Sequence, residues 1–448
     1  MVAPAVYPWD EPGVEETSGA RTLGLVDAIA IIVGIIIGSG IFVAPAGVAA
    51  ASGSFGISAG LWLLAALVSA AGALTYAECS SRLPQDGGFF VFYRTAFGEW
   101  LGFTSGWAAQ LVTYPAAIAA LAHVAANYTV SLFPALLPAK TAVALFWIAL
   151  SGGLNGLGIR SGARTQRILT VSKVLAISAL CIAAAFAGTQ TLTVLPASAQ
   201  LPSPAVLLGA LLVLLWTYDG WSDFSLIAGI MRDPGRNLVR GAVISMLLLA
   251  ALYVAVQAAV LSVLTVEEAA ASKSVFSDAA VRAIGPLGGS LVALLVIVSA
   301  YGSLHGIVFT VCRLAPAMAK EGDFLPWFAK VDEARGLSLR ALGFVVLASM
   351  LYAGGANFDL LLRFFGQTVW IFYGLTGIAL LLFRRRGVGD ETAVRVPGWA
   401  PVLLVTSALA LTTSLAVEDP WTFFAGVGLV SLGLPVFWGW NFVRSTQN

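Results

Sequence analysis

The chain has 448 residues, 59% of them hydrophobic and 10% charged, with a formal net charge of +1. That composition excludes an ordinary water-soluble domain, and without basic clusters interleaved with aromatics it excludes nucleic acid as a partner. Three scattered cysteines and two histidines exclude a disulfide framework, a CxxC centre and a His-based metal site, so no metal and no other cofactor is expected.

The first element is a tail, 1–22, acidic and Pro-containing over Met1–Ala20. It lacks the basic stretch and short apolar core of a signal peptide, and we read it as cytoplasmic. From Ala28 to Ala77 no Asp, Glu, Lys or Arg occurs. One membrane crossing needs about 20 apolar residues, so this stretch alone supplies two. Apolar length and Gly, Pro or charge punctuation predict twelve spans, over 23–51, 56–82, 99–128, 141–157, 166–188, 205–231, 238–264, 287–317, 340–355, 358–383, 399–416 and 421–442. Backbone polar groups in hydrocarbon must be bonded internally, so these are helices. With the N-terminus inside, most of the 24 basic residues fall in cytoplasmic loops, which predicts a multi-pass protein of the cell membrane with both termini cytoplasmic. Arg384, Arg385 and Arg386 then form a cytoplasmic stop after span ten rather than a lipid-binding cluster.

Span one carries Gly34, Gly38, Ser39 and Gly40 in its apolar middle, and each interior glycine weakens a helix by about 1 kcal/mol. Gly34 and Gly38 alone read as a GxxxG packing pair. Span six carries a matching irregularity at Thr217, Tyr218, Asp219 and Gly220, and it runs the opposite way. Two interrupted helices at corresponding positions, five spans apart, predict an inverted repeat with a binding site at the breaks. Amides freed over Gly38, Ser39 and Gly40 suit a carboxylate, and carbonyls freed near Ile36 and Ile37 and at the break of span six suit an ammonium, which together describe a zwitterion site.

Lys173 lies early in span five; it either snorkels to the cytoplasmic interface or serves the site. Asp219 either caps the half-helix at Gly220–Trp221 or pairs with a cation. Asp27, Glu78 and Arg82 form an inner gate or a solvated interface, and Asp223 faces the inner vestibule. His305 has a packing role or relays protons, and Arg363 pairs locally with Asp359. Residues 84–98 and 322–330 are expected as short interfacial helices, and 265–286 as an external lid. No Walker, GxSxG or HExxH motif is present, so the chain is not an enzyme.

"GIIIGSGIFVAPAG", "YAECSSRLPQDGGFFVFYRTAFGEWLGFTSGW", "YDGWSDFSLIAGIMRDPGRNLVRG" and "CRLAPAMAKEGDFLPWFAKV" resemble, in this order, motifs of the amino acid–polyamine–organocation superfamily. Lys173 in "RILTVSKVLAISAL" makes the L-type amino acid transporter group the nearest resemblance. The resemblance implies an all-α membrane protein of LeuT type, with twelve transmembrane helices, discontinuous helices 1 and 6, five-helix repeats over 23–188 and 189–384, and two more helices in 385–448. It implies that Ile36, Ser39 and Gly40 bind the amino and carboxyl groups of an amino acid. Thr217, Asp219 and Gly220 would line the amine, and Trp216 would cap the site. Lys173 would stand where sodium-driven relatives hold sodium. The implied function is sodium-independent exchange of small or medium neutral L-amino acids by alternating access. Alternatives are proton-coupled uptake of neutral or cationic amino acids or polyamines and, more remotely, a channel or receptor. The implied partners are amino acids and the lipid bilayer. Eukaryotic L-type members attach a heavy subunit through a cysteine after helix three. The loop "TVSLFPALLPAK" has none, so no disulfide-linked subunit is expected.

Overall fold

The computed structural model describes residues 21–196, 201–355, 358–391 and 393–445, without the side chains of 358–368 and 443–445. The tail over 1–20 and the expected Asp359–Arg363 pair lie outside the described residues. The described residues form nineteen α-helices joined by short 3-10 and π turns, and no strand occurs among them.

The first expected span is broken: α1 (Leu25–Ile36) is followed by a 3-10 turn, Gly40–Phe42, and then α2 (Ala44–Ser52). Next come α3 (Phe55–Arg82), the short α4 (Phe89–Phe97), and α5 (Glu99–Ala108), joined to α6 (Tyr114–Leu132) through a π turn at Ala109–Thr113. Then follow α7 (Lys140–Gly156), α8 (Ile159–Ala187) and α9 (Pro204–Thr217), where the chain breaks again before a 3-10 segment, Asp223–Ile230. The second half comprises α10 (Pro234–Val263), the short α11 (Val266–Ala271) and α12 (Val275–Ile284), α13 (Leu287–Val311) and α14 (Leu314–Lys320). It ends with α15 (Leu339–Gly355), α16 (Phe358–Arg386), α17 (Trp399–Glu418), α18 (Pro420–Ser431) and α19 (Gly433–Ser445).

Among the described residues, eight helices or runs of joined helices are long and apolar enough to cross a membrane. Three further apolar helices, α1, α9 and α15, are shorter. The short α4 and α11–α12 fall where interfacial and lid helices were expected. The 322–330 stretch is a single 3-10 turn, Pro326–Ala329.

Local chemistry explains the irregular joints. Pro115 in α6 has no N–H for the carbonyl of Leu111, four residues back. That carbonyl instead accepts the Tyr352 hydroxyl at 2.7 Å, and a π turn accommodates the gap. The C-terminal half of the expected span six is 3-10 rather than α. There Ser225 turns its hydroxyl onto the Ser222 carbonyl at 2.7 Å, and such side-chain bonds compete with the α ladder. The broken elements are tied at one end: the Thr22 amide donates to Ile230 O at 2.9 Å and the Arg232 amide to Leu23 O at 2.8 Å. The interior is a continuous apolar core in which α1 packs on α8, α10 and α13.

Candidate functional site

The two breaks meet at a cavity of about 660 Å³. Its wall includes Ile36, Gly38, Ser39, Gly40, Trp216, Thr217, Asp219 and Gly220, so of the residues expected to bind substrate all but Ile37 line one space. Ile37 is buried behind them. Gly220 has φ +110°, and a Cβ there would stand 2.7 Å from Ile35 Cγ2, so only glycine permits this approach of the second break to α1. Gly34 does serve packing: its face lies against Gln166 and Thr170 of α8, and Thr170 Oγ1 donates to Ala30 O at 2.8 Å.

At the first break the amides of Ser39 and Gly40 have no acceptor among the described residues. Both stand at the cavity wall, as a carboxylate site requires. The carbonyls are a different matter. Lys173 Nζ donates to Gly34 O and Ile37 O, each at 2.8 Å, and to Ser299 O at 3.1 Å. Three carbonyl acceptors match the three N–H donors of a protonated amine. Ser299 Oγ also donates to Ile37 O or Gly38 O, and Ser303 Oγ to Gly34 O or Ile37 O, at 2.8–3.1 Å. Most carbonyls released by the break are therefore engaged by the protein, against the expectation that they stand free. Ile36 O and Thr217 O are the exceptions in strength, each facing the Tyr253 hydroxyl at 3.4 Å, although Ile36 O also accepts the Gly38 amide at 2.8 Å. Lys173 itself lies mid-helix, fully buried, which rules out snorkelling. α8 begins a turn or two earlier than expected, which carries Lys173 about 21 Å from the helix start.

At the second break, Asp219 takes the Tyr373 hydroxyl on Oδ1. The helical segment begins at Asp223, beyond Gly220–Trp221, so Asp219 is not the N-cap of that segment. Asp223 lines the same cavity rather than a separate inner vestibule, and the Tyr114 hydroxyl donates to its Oδ1 at 2.8 Å. Neither carboxylate has an ion-pair partner among the described residues. Trp216 forms part of the wall and is 51% exposed, so it does not cover the space.

The cavity extends from Asn127 and Lys140 at one end to Tyr76 and Tyr93 at the other. There Tyr93 Oη lies 2.7 Å from Phe372 O and 2.8 Å from Thr376 Oγ1, and Thr376 bonds Tyr76 at 2.9 Å. His305 is away from the wall. Its Nε2 donates to Gly162 O at 3.1 Å and its Nδ1 faces Asn155 Nδ2 at 3.3 Å, so both ring nitrogens are occupied by packing partners. Asp27 is separated from Glu78 and Arg82: it pairs with Arg167 at 3.1 Å. Glu78 instead accepts Arg82 and Arg384, and Arg82 pairs with Asp390 at 2.7 Å. Arg384 is thus an anchor for α3 rather than a bare stop signal.

Tyr114, Tyr253, Tyr373, Ser299 and Ser303 escaped the sequence reading. The pair in "SAYGSLHG", four residues apart on one helix face, is the only local signal for any of them.

Comparison with known proteins agrees with this geometry. The amino acid permease family model matches residues 23–439. The chain is 27% identical over 432 residues to the serine/threonine exchanger of Bacillus subtilis (strain 168), covering 95% of this chain and 98% of that one. It is 30% identical over 443 residues to the large neutral amino acids transporter small subunit 2 of Mus musculus, covering 95% and 83%. It is 27% identical over 442 residues to the b(0,+)-type amino acid transporter 1 of Mus musculus, covering 94% and 88%. The chain belongs to the amino acid permease family, within the amino acid–polyamine–organocation superfamily and its L-type group. It is a multi-pass membrane protein that transports amino acids, and it is not an enzyme.

Proposed function

We propose that the protein exchanges amino acids across the cell membrane without sodium, by alternating access to the cavity between the two breaks. The carrying observation is the tripod of Lys173: a covalently fixed ammonium occupies the released carbonyls of α1, where a dissociable cation would otherwise be needed. The unengaged amides of Ser39 and Gly40 would take the substrate carboxylate. Thr217 O, held only by Tyr253 at 3.4 Å, and the second lone pair of Ile36 O, whose first takes the Gly38 amide, would take its ammonium. The chain would form twelve spans as inverted repeats over 23–188 and 189–384 with two further helices, both termini being cytoplasmic. Spans one, two, six and seven would move against three, four, eight and nine, with Trp216 closing over bound substrate. The similarity to a serine/threonine exchanger and to a large neutral amino acids transporter favours neutral amino acids of small or medium size first.

A second reading concerns charge. Asp219 and Asp223 face one cavity, held by neutral donors and by no cation among the described residues, which favours substrates that bring an extra positive charge.

The test is exchange in proteoliposomes. Labelled serine outside should enter vesicles loaded with amino acid far faster than empty ones, at a rate unchanged when choline replaces sodium. Uptake that requires a pH gradient and ignores internal substrate would replace exchange by proton coupling. Competition by the twenty amino acids separates neutral from cationic specificity.

A further inference from the structure

The connection between α3 and α4, residues 83–88, lies across the 3-10 segment Asp223–Ile230. The Gly87 amide points at Leu226 O at 3.4 Å. Gly88 has φ +49°, and a Cβ there would stand 2.9 Å from the Leu226 amide, so the two strands of chain are in close backbone contact. Asp86 joins this contact to a third element. Its Oδ1 accepts the Gly229 amide at 3.2 Å, and its Oδ2 accepts Arg313 Nη1 at 2.9 Å. Arg313 lies between α13 and α14 and is buried; its Nη2 donates to Gly336 O at 3.4 Å, and its Nε has no partner among the described residues. Behind the contact lies a separate space of about 110 Å³ whose wall includes Asp86, Cys312, Arg313, Lys320 and Ser338. The main cavity reaches the other side of the same plug, at Phe89, Asp223 and Ile307.

We propose that Asp86 is the cytoplasmic latch of the transport path. Substrate leaves the main cavity between the 223–230 segment and α13, into the small chamber, once Asp86 releases Gly229 and Arg313. This rests on the transport reading given above. One carboxylate holds two elements that alternating access would have to separate, and both of its bonds end on groups that water can satisfy once the path opens. With the latch open, the Arg313 guanidinium, released from Asp86 at the chamber wall, would be the first cation that a departing α-carboxylate meets.

The native cysteines report on this. Cys79, Cys181 and Cys312 are all buried, and Cys312 lines the chamber. Full-length wild type and Asp86→Asn in vesicles would be treated from the cytoplasmic side with a membrane-impermeant charged maleimide, and the modified cysteine identified by mass spectrometry. Asp86→Asn should raise modification of Cys312 by about tenfold with Cys79 unchanged, as expected when one charge-assisted bond is lost from a two-state equilibrium. The ratio of external to cytoplasmic KM for exchange should rise by a similar factor. Asp86→Ser, which loses the ion pair and also falls short of the Gly229 amide, should raise Cys312 modification at least as far and serves if Asp86→Asn does not fold. Equal rises at Cys312 and Cys79 would mean general loosening and overturn the latch, as would unchanged Cys312 labelling. A wild type that exchanges no amino acid would overturn the transport reading, while the labelling comparison would still decide the latch.

Discussion

An amine buried in a membrane protein is costly unless every proton finds an acceptor. Lys173 meets that condition through Gly34, Ile37 and Ser299, with partners 126 to 139 positions away in the chain. Resemblance alone gives it a role; the acceptors were illegible because no local pattern encodes contacts at that separation. Lys173→Ala should leave a folded protein, since Ser299 and Ser303 still donate to carbonyls of the break. The stability cost should be about 2 kcal/mol, while exchange should fall at least about 100-fold because the break loses its fixed charge. Lys173→Arg should not rescue it. A planar fork cannot reach a three-carbonyl tripod, and Gly302, whose added Cβ would lie 2.9 Å from Nζ, leaves no room for a larger head. Thermal unfolding and exchange measured on one preparation check both halves; wild-type exchange rates in Lys173→Ala would remove the residue from the mechanism.

Among the elements, the ends of the long helices were legible wherever apolar runs meet Gly, Pro or charge. α3, α7 and α10 begin and end within a few residues of their expected spans. The glycine cluster at 38–40 and the polar run at 217–220 marked both breaks. What resisted reading was the form of the chain beyond each break: the 3-10 segment Asp223–Ile230 and the π turn at Ala109–Thr113 depend on hydroxyl partners supplied by Ser225 and by Tyr352 of α15. Pro115 was a visible sign of the π turn, but proline alone does not say whether a helix kinks, ends or widens. The second break makes a direct prediction. Gly220→Ala puts a Cβ against Ile35 at a backbone angle that alanine rarely adopts, so it should cost about 2 kcal/mol. It should also weaken substrate binding, because the two breaks move apart. Chemical unfolding and a binding isotherm for the best competitor would check this; unchanged affinity would mean that the breaks do not set the site together.

For the whole molecule, charge asymmetry predicted which ends of the helices lie together, and the structure adds what the charges do. Glu78, Arg82, Arg384 and Asp390 join α3 to the end of α16 and to the connection that follows it. Glu78 also accepts the Val396 amide at 2.7 Å, so Glu78→Gln should cost about 3 kcal/mol by leaving guanidinium charge uncompensated. Asp390 lies outside the spans, in the connection, and its bond to Arg82 holds its carboxyl below the usual value of about 3.9. The sign follows from linkage. A carboxyl with a depressed pKa in the folded protein contributes its stabilisation above the ordinary carboxylate range. It loses that contribution as pH falls through the folded value. The connection over 387–391 should therefore stay docked on α3 through neutral and mildly acidic pH and loosen only in stronger acid. Hydrogen exchange of its amides should be flat from about pH 7 down to about pH 5, after correction for intrinsic rates, and rise below that. Asp390→Asn should show faster exchange throughout, without the acid step. An acid step that persists in the variant would assign the docking to another group.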